Sequence, residues 1–185
     1  MAIRNAGPKV HDVVPQVFQR TVQKYGDRVA MRQKEYGIWR DISWNEYYRT
    51  AKEVGSALVS MGLEKGNCVS IIGDNCPEWV MIDMAVQCVG GVAVGIYSTN
   101  AWPQVEYAIS NSDSQFFFVE NEEQLDKWLM FRNEAPTLRR VIVWDLEGLQ
   151  QFADPMVMTF EALLEEGARA ATEASGILTD RMQQV

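Results

Sequence analysis

Two short stretches carry residue types able to bind or orient a small ligand. Tyr97-Ser98-Thr99 sets three hydroxyls in succession directly after the apolar run Val92 to Ile96. If that run is a strand of a parallel sheet, its C-terminal end is the edge at which open α/β sheets hold ligands. Tyr97, Ser98 and Thr99 are therefore the candidate substrate-binding residues, although a strand end followed by a capped helix accounts for the same three. The second stretch is Gly73-Asp74-Asn75, a turn between an apolar run and the helix start at Pro77. Helix starts favour anions through their free N–H groups. This turn has neither the G-x-G-x-x-G nor the G-x-x-x-x-G-K-[ST] spacing, and Asp74 would repel a phosphate. A turn and helix cap is the simpler reading.

Other reactive residues form no recognisable set. Cys68, Cys76 and Cys88 contain no C-x-x-C pair, and His11 is the single imidazole, so no metal-ligand set and no Ser-His-Asp constellation can be assembled. No catalytic residue and no metal ligand is assigned. Three buried, reduced thiols of a cytoplasmic protein are the expectation. The carboxylate pairs Glu122-Glu123 and Glu165-Glu166 are sequence neighbours, which cannot face one another across a site on a helix, and they read as solvated surface. Trp44 and Glu46 read as structural, for the reason given next.

The elements that must position these residues are marked by period and punctuation. Val14, Val17, Phe18, Val22 and Tyr25 fall at helical spacing up to Gly26. Val29 to Lys34 and Ile38 to Ile42 flank Tyr36-Gly37 as two strands joined by a turn. Ser43-Trp44-Asn45-Glu46 matches a capping box, with Ile42 and Tyr47 placed for a hydrophobic staple. The helix it opens carries the stripe Trp44, Tyr47, Tyr48, Ala51, Val54, Leu58 and Met61 and ends at Gly62. Strands are then expected at Val69 to Ile72, Val92 to Ile96, Gln115 to Val119 and Val141 to Trp144. Helices are expected at Pro77 to Val89, Pro103 to Asn111, Asn121 to Phe131 and Thr159 to Ala170, with Gln124 completing a second box at Asn121.

Short strands alternating with helices, the strands apolar throughout, predict an α/β fold with a mostly parallel sheet and helices on both faces. Residues 1–12 are expected to be a flexible arm, 13–171 the α/β domain, and 172–185, where the stripe is lost, a linker or tail. With 47% hydrophobic and 23% charged residues, the composition is that of a globular protein of ordinary domain size. A net charge of −8 without a basic stripe speaks against nucleic acid as a partner. The most apolar stretch, Trp79 to Tyr97, is interrupted by Asp83, Gln87 and Gly90-Gly91, so no transmembrane segment is predicted.

Several motifs in order resemble a known family. They are W-x-E at Trp44, G-L-x-K-G at Gly62, N-x-P-E-W at Asn75, the run G-G-V-A-V-G-I-Y-S-T at Gly90, and Q-V-E-Y-A-I-S-N-S at Gln104. Together they resemble the amino-terminal part of the large domain of adenylate-forming, AMP-binding enzymes. The segment Y-S-T followed by Q-V-E-Y points to the long-chain fatty-acyl-CoA synthetase branch. The resemblance runs from about Val14 to Val185, with Asn67 standing where members commonly carry Asp.

The resemblance implies a ligase that uses ATP, Mg2+ and CoA to convert a fatty acid to its acyl-CoA through an acyl-adenylate. It implies that Tyr97-Ser98-Thr99 lies near the cleft receiving acyl chain and CoA, and that a homodimer and peripheral contact with a membrane belong to the range of behaviours of such enzymes. The family's Ser/Thr/Gly-rich phosphate loop, its magnesium-binding glutamate and its C-terminal lysine match nothing within these residues. The expectation is a fragment that is inactive by itself and leaves apolar surface uncovered at one sheet edge. The alternative is a free-standing α/β module for small-ligand binding or dimerisation.

Overall fold

The structure is a computed structural model that describes residues 13–173 and 176–184. The expected arm, with His11, lies outside the described residues. A helix α1 (Val14–Tyr25) leads into an antiparallel hairpin, β1 (Val29–Glu35) and β2 (Ile38–Ser43), and then into α2 (Trp44–Ser60). Five parallel strands follow: β3 (Cys68–Ile72), β4 (Val92–Ile96), β5 (Phe116–Val119), β6 (Arg140–Val143) and β7 (Val157–Thr159). Their order across the sheet is β4-β3-β5-β6-β7. Between them run α3 (Pro77–Cys88), α4 (Trp102–Ser112) and α5 (Glu122–Leu129), and α6 (Phe160–Glu173) and α7 (Ile177–Gln184) follow β7.

The period-2 alternation of each strand divides the core in two. Val69, Ile71, Phe116, Phe118 and Ile142 pack with α1, α2, α3, α6 and α7 on one face. Ile72, Phe117, Val119, Val141 and Val143 pack with α4 and α5 on the other. The three successive phenylalanines are wholly buried because the strand that carries them is covered on both sides.

The start of α2 forms as its sequence specifies. Ser43 Oγ accepts from the Glu46 amide at 3.1 Å, and Glu46 Oε2 accepts from the Ser43 amide at 2.8 Å. Ile42 and Tyr47, on either side of the turn, are both buried in the same core. The hydrogen bonds from Ser43 hold the Glu46 carboxyl below its usual pKa. Ser43→Ala is expected to cost about 1 kcal/mol, read as a melting point lower by roughly 2–4 °C. A lowered carboxylate pKa contributes stability above the unfolded value and loses it as pH falls through the folded one. The gap between wild type and Ser43→Ala should therefore narrow in acid.

Four expectations are corrected. Within the expected tail, the described residues 172–173 and 177–184 are helical: α6 runs to Glu173, and α7 buries Leu178 and Met182 in the core beneath α2. Two apolar residues one turn apart are too short a stripe to register as periodic. Thr159 does not open a helix; it ends β7, and its Oγ1 caps α6 by accepting from the Ala162 amide at 3.1 Å. The second capping box is half formed: Asn121 Oδ1 accepts from the Gln124 amide, but the Gln124 side chain turns to Glu123 and Lys127. Of the three thiols only Cys88 is fully buried, with Cys68 and Cys76 half-buried.

Candidate functional site

The chain lays down β3, steps to β4 on one side, and returns to place β5 on the other, so strand order reverses between β3 and β5. Open α/β sheets hold ligands in the crevice that opens at such a reversal, beyond the C-terminal strand ends. Here the protein fills that crevice itself. The Asp74 amide donates to Glu120 Oε2 at 2.8 Å. A Cβ on Gly73 would stand 2.5 Å from Trp144 Cζ2 and 2.8 Å from Glu120 Cβ. Gly73 is therefore a close-packing glycine, and the Asp74 amide of this turn is directed to a carboxylate.

The open space lies one strand over, between the ends of β3 and β4. A cleft of about 380 Å³ is lined by Gly73, Asp74, Asn75 and Trp79 on one wall and by Gly95, Ile96, Tyr97 and Ser98 on the other. Trp79, on the first turn of α3, lies across Gly95, where a Cβ would come within 3.2 Å of its ring. Gly95 thus shapes the cleft by lacking a side chain, while the absent side chain of Gly73 makes room for Trp144 and Glu120 in the neighbouring crevice.

The structure brings Tyr97 and Ser98 into this cleft and leaves Thr99 out. Tyr97 is 80% exposed and stands at the mouth. Ser98 Oγ donates to Asp74 Oδ1 at 2.7 Å, joining the two walls. Thr99 sits in a turn closed by the Asn100 amide donating to the Tyr97 carbonyl, and that turn leaves it exposed outside the lining. Lys127 of α5 holds the loop from behind. Its Nζ donates to the Ser98 carbonyl at 2.6 Å and to Gln124 Oε1 at 2.8 Å, and pairs with Glu123 at 3.2 Å. Neither Trp79 nor Lys127 stands out in the sequence; the tryptophan of N-x-P-E-W was the available signal for the first.

Chemically the cleft offers one carboxylate, Asp74, and the hydroxyls of Tyr97 and Ser98. Cys76 lies at the N-cap of α3, but burial pushes its thiol up to about 12, so it is protonated at neutral pH. Among the described residues no three His, Cys, Asp or Glu side chains stand together to hold a metal ion, and no helix is long and apolar enough to cross a membrane. A larger groove of about 610 Å³ lies at the opposite sheet edge, lined by Val143, Leu146, Leu149, Phe152, Val157 and Met158 among others. It is apolar, and one of its walls is the three-residue edge strand β7.

The chain is 36% identical to a long-chain-fatty-acid–CoA ligase of Xenopus laevis over 83% of its own length and 21% of that protein's. It is 31% identical to another from Bos taurus, over 89% of this chain and 22% of the relative. It thus spans about a fifth of the length of these relatives. Among solved structures, an anthranilate–CoA ligase superposes with a TM-score of 0.74 at 20% identity, covering 85% of this chain and 29% of that one. Acetoacetyl-CoA synthetase from Streptomyces lividans gives 0.73 at 23% identity, covering 81% of this chain and 24% of that one. Both share the fold described above. Residues 18–169, which take in all five strands of the parallel sheet, match the AMP-binding enzyme family, and to that family of adenylate-forming enzymes the chain belongs.

Proposed function

We propose that this chain is the amino-terminal part of the large domain of a long-chain fatty acid–CoA ligase. The observation that carries the reading is the match to two long-chain ligases over more than four-fifths of this chain and only about a fifth of theirs. In the complete enzyme a carboxylate oxygen of the fatty acid attacks the α-phosphorus of ATP, and pyrophosphate leaves. The CoA sulfur then attacks the acyl carbon of the adenylate, and AMP leaves with the carboxylate oxygen. Catalysis of this kind rests on positioning and charge stabilisation.

The part assigned to these residues is positioning. The cleft wall at Tyr97 and Ser98, held by Asp74 and Lys127, would contact the acyl or CoA portion. Thr99 would act only through the turn it belongs to. Mg2+ would supply charge neutralisation at the phosphates. Glu120 and Asp74 are already engaged by protein donors, so no magnesium-holding role is derived for them. The chain by itself carries no step of the reaction.

Thioester formation from palmitate, Mg-ATP and CoA tests the reading. The measurement compares this chain with a polypeptide encoded by its reading frame extended beyond Val185 through a T-S-G-T-T-G-x-P-K type loop. Product is expected from the extended protein alone. Acyl-CoA made by the 185 residues, or no long-chain product from the extended protein, would sink it. The apolar groove beside β7 favours a second reading, a homodimer through that edge. Sedimentation equilibrium that shows a monomer at high concentration would remove it.

A further inference from the structure

The hairpin of β1 and β2 leaves the body of the protein at its tip. Residues 34–41 are all exposed, and the buried part of the hairpin resumes only at Ile42. Three large side chains crowd this tip: Tyr36 is 104% exposed, Ile38 74% and Trp39 63%. Tyr36 is fully exposed and Ile38 and Trp39 mostly so, which means that burial in the core does not account for apolar side chains here.

The turn itself makes the same point independently. Tyr36 and Gly37 join the strands with φ of 47° and 84°. Two central residues with positive φ are the two-residue hairpin turn that favours Asn, Asp or Gly at the first position. A bulky aromatic is strained there. Tyrosine therefore occupies a position that its backbone disfavours while its ring packs on nothing.

The charges around the tip are arranged to leave it positive. Arg32 Nε pairs with Asp41 at 2.7 Å, and Arg40 pairs with Glu35 at 3.9 Å. These are the two carboxylates of the hairpin, and both are matched by an arginine. Lys34 instead lies over the Trp39 ring, 5.9 Å from its centroid. The hairpin thus carries one net positive charge on a chain whose net charge is −8.

We propose that the tip Tyr36-Gly37-Ile38-Trp39, with Lys34 beside it, is an element that inserts into the interface of a lipid bilayer bearing anionic headgroups. Tyr and Trp are the side chains that settle at that interface, their rings in the acyl boundary and their polar atoms among the headgroups. A lysine beside them adds attraction to anionic lipid. A protein partner is the less apt occupant, because stable protein interfaces take about 800 Å² from each side. A two-strand tip presenting three side chains supplies far less, whereas a fluid bilayer closes around a narrow protrusion without needing a matching shape. The inference is drawn from the hairpin, and under the ligase reading it also requires that the remainder of the longer protein leaves the tip uncovered.

Co-sedimentation of the full chain with lipid vesicles, without fatty acid or nucleotide, tests it. The chain is expected to pellet with phosphatidylcholine vesicles containing phosphatidylserine, and less with phosphatidylcholine alone. Tyr36→Ser/Ile38→Ser/Trp39→Ser should weaken partitioning by at least about tenfold, with an unchanged far-ultraviolet circular dichroism spectrum. Lys34→Glu, a single exposed change that keeps the fold if the triple variant does not, should lower binding to the anionic vesicles and leave binding to phosphatidylcholine unaltered. Brominated lipid should quench part of the wild-type tryptophan emission, and Trp39→Phe should remove that part while keeping binding. Wild-type protein that ignores both vesicle types overturns the proposal, as does a triple variant that binds as well as wild type. A tip whose substitution instead dissolves a dimer, without changing vesicle binding, would be a protein contact.

Discussion

Gly167→Ala is expected to destabilise the protein by at least about 3 kcal/mol, a melting-point loss of roughly 10 °C, or to prevent folding. Gly167 is in the middle of α6 and buried. A Cβ there would overlap the Glu53 carbonyl oxygen of α2, with the carbonyl carbon at 2.5 Å and Cα at 2.9 Å. All three are backbone atoms of a neighbouring helix, so relief requires the helices to separate. Helix propensity alone argues the opposite sign, since alanine in a helix interior is favoured over glycine by about 1 kcal/mol. The experiment therefore decides between an intrinsic preference and a packing contact.

Gly55→Ala is the internal comparison. Its Cβ would meet Val89 Cγ1 at 2.9 Å and Leu178 Cδ1 at 3.0 Å, both side-chain atoms, with the nearest backbone atom, the Ala85 carbonyl oxygen, at 3.4 Å. The loss there should be smaller, about 1 kcal/mol. A Gly167→Ala protein that melts at or above wild type in calorimetry would mean that α2 and α6 do not cross as closely as described. It would also remove the reason for glycine at that position.

What the sequence made legible was local. Ser43 and Glu46 are three residues apart, and their box depends on nothing else, so its reading transferred directly to α2. The β-branched and aromatic runs at Val69, Phe116 and Val141 announced strands because burial on both faces leaves few polar positions, while the run at Val92, on the half-exposed edge strand β4, was marked by its β-branched residues. β7 was not legible, since three residues carry no period, and its strand character comes from pairing with β6. Helix α7 was hidden for the same reason, with Leu178 and Met182 its buried apolar residues among those described.

The cleft was legible only in outline. Tyr97 and Ser98 could be placed at a strand end, which is a local property. Thr99 was indistinguishable from them until the turn at Asn100 fixed which hydroxyls face the cleft. The contacts that define the site join distant residues: Asp74 with Ser98, Asp74 with Glu120, and Lys127 with Ser98. Each requires knowing that β3 lies between β4 and β5. Strand order follows from the packing of the whole sheet, and alternation of strands and helices does not reveal it.

That same order bears on the remaining large effect, which concerns nucleotide. The 185-residue chain is expected to show no saturable binding of Mg-ATP in the micromolar range, with or without palmitate. A helix start contributes about 0.3–1 kcal/mol toward an anion, while micromolar affinity requires about 8 kcal/mol. A phosphate cradle closes such a gap with several converging backbone amides. At the β3 turn the Asp74 amide is already donated to Glu120, and the space above Gly73 is filled by Trp144. The first turn of α3 adds Glu78, so triphosphate approaching this edge would meet Asp74, Glu78 and Glu120 together. Charge and geometry thus oppose binding at the point where the topology would otherwise invite it. Titration calorimetry of the purified chain is the direct measurement, with the extended polypeptide as the positive arm. Saturable micromolar heat from the chain alone would overturn the expectation. Its loss on Gly73→Ala would then show that Glu120 and Trp144 swing aside, making the strand reversal a nucleotide site in its own right.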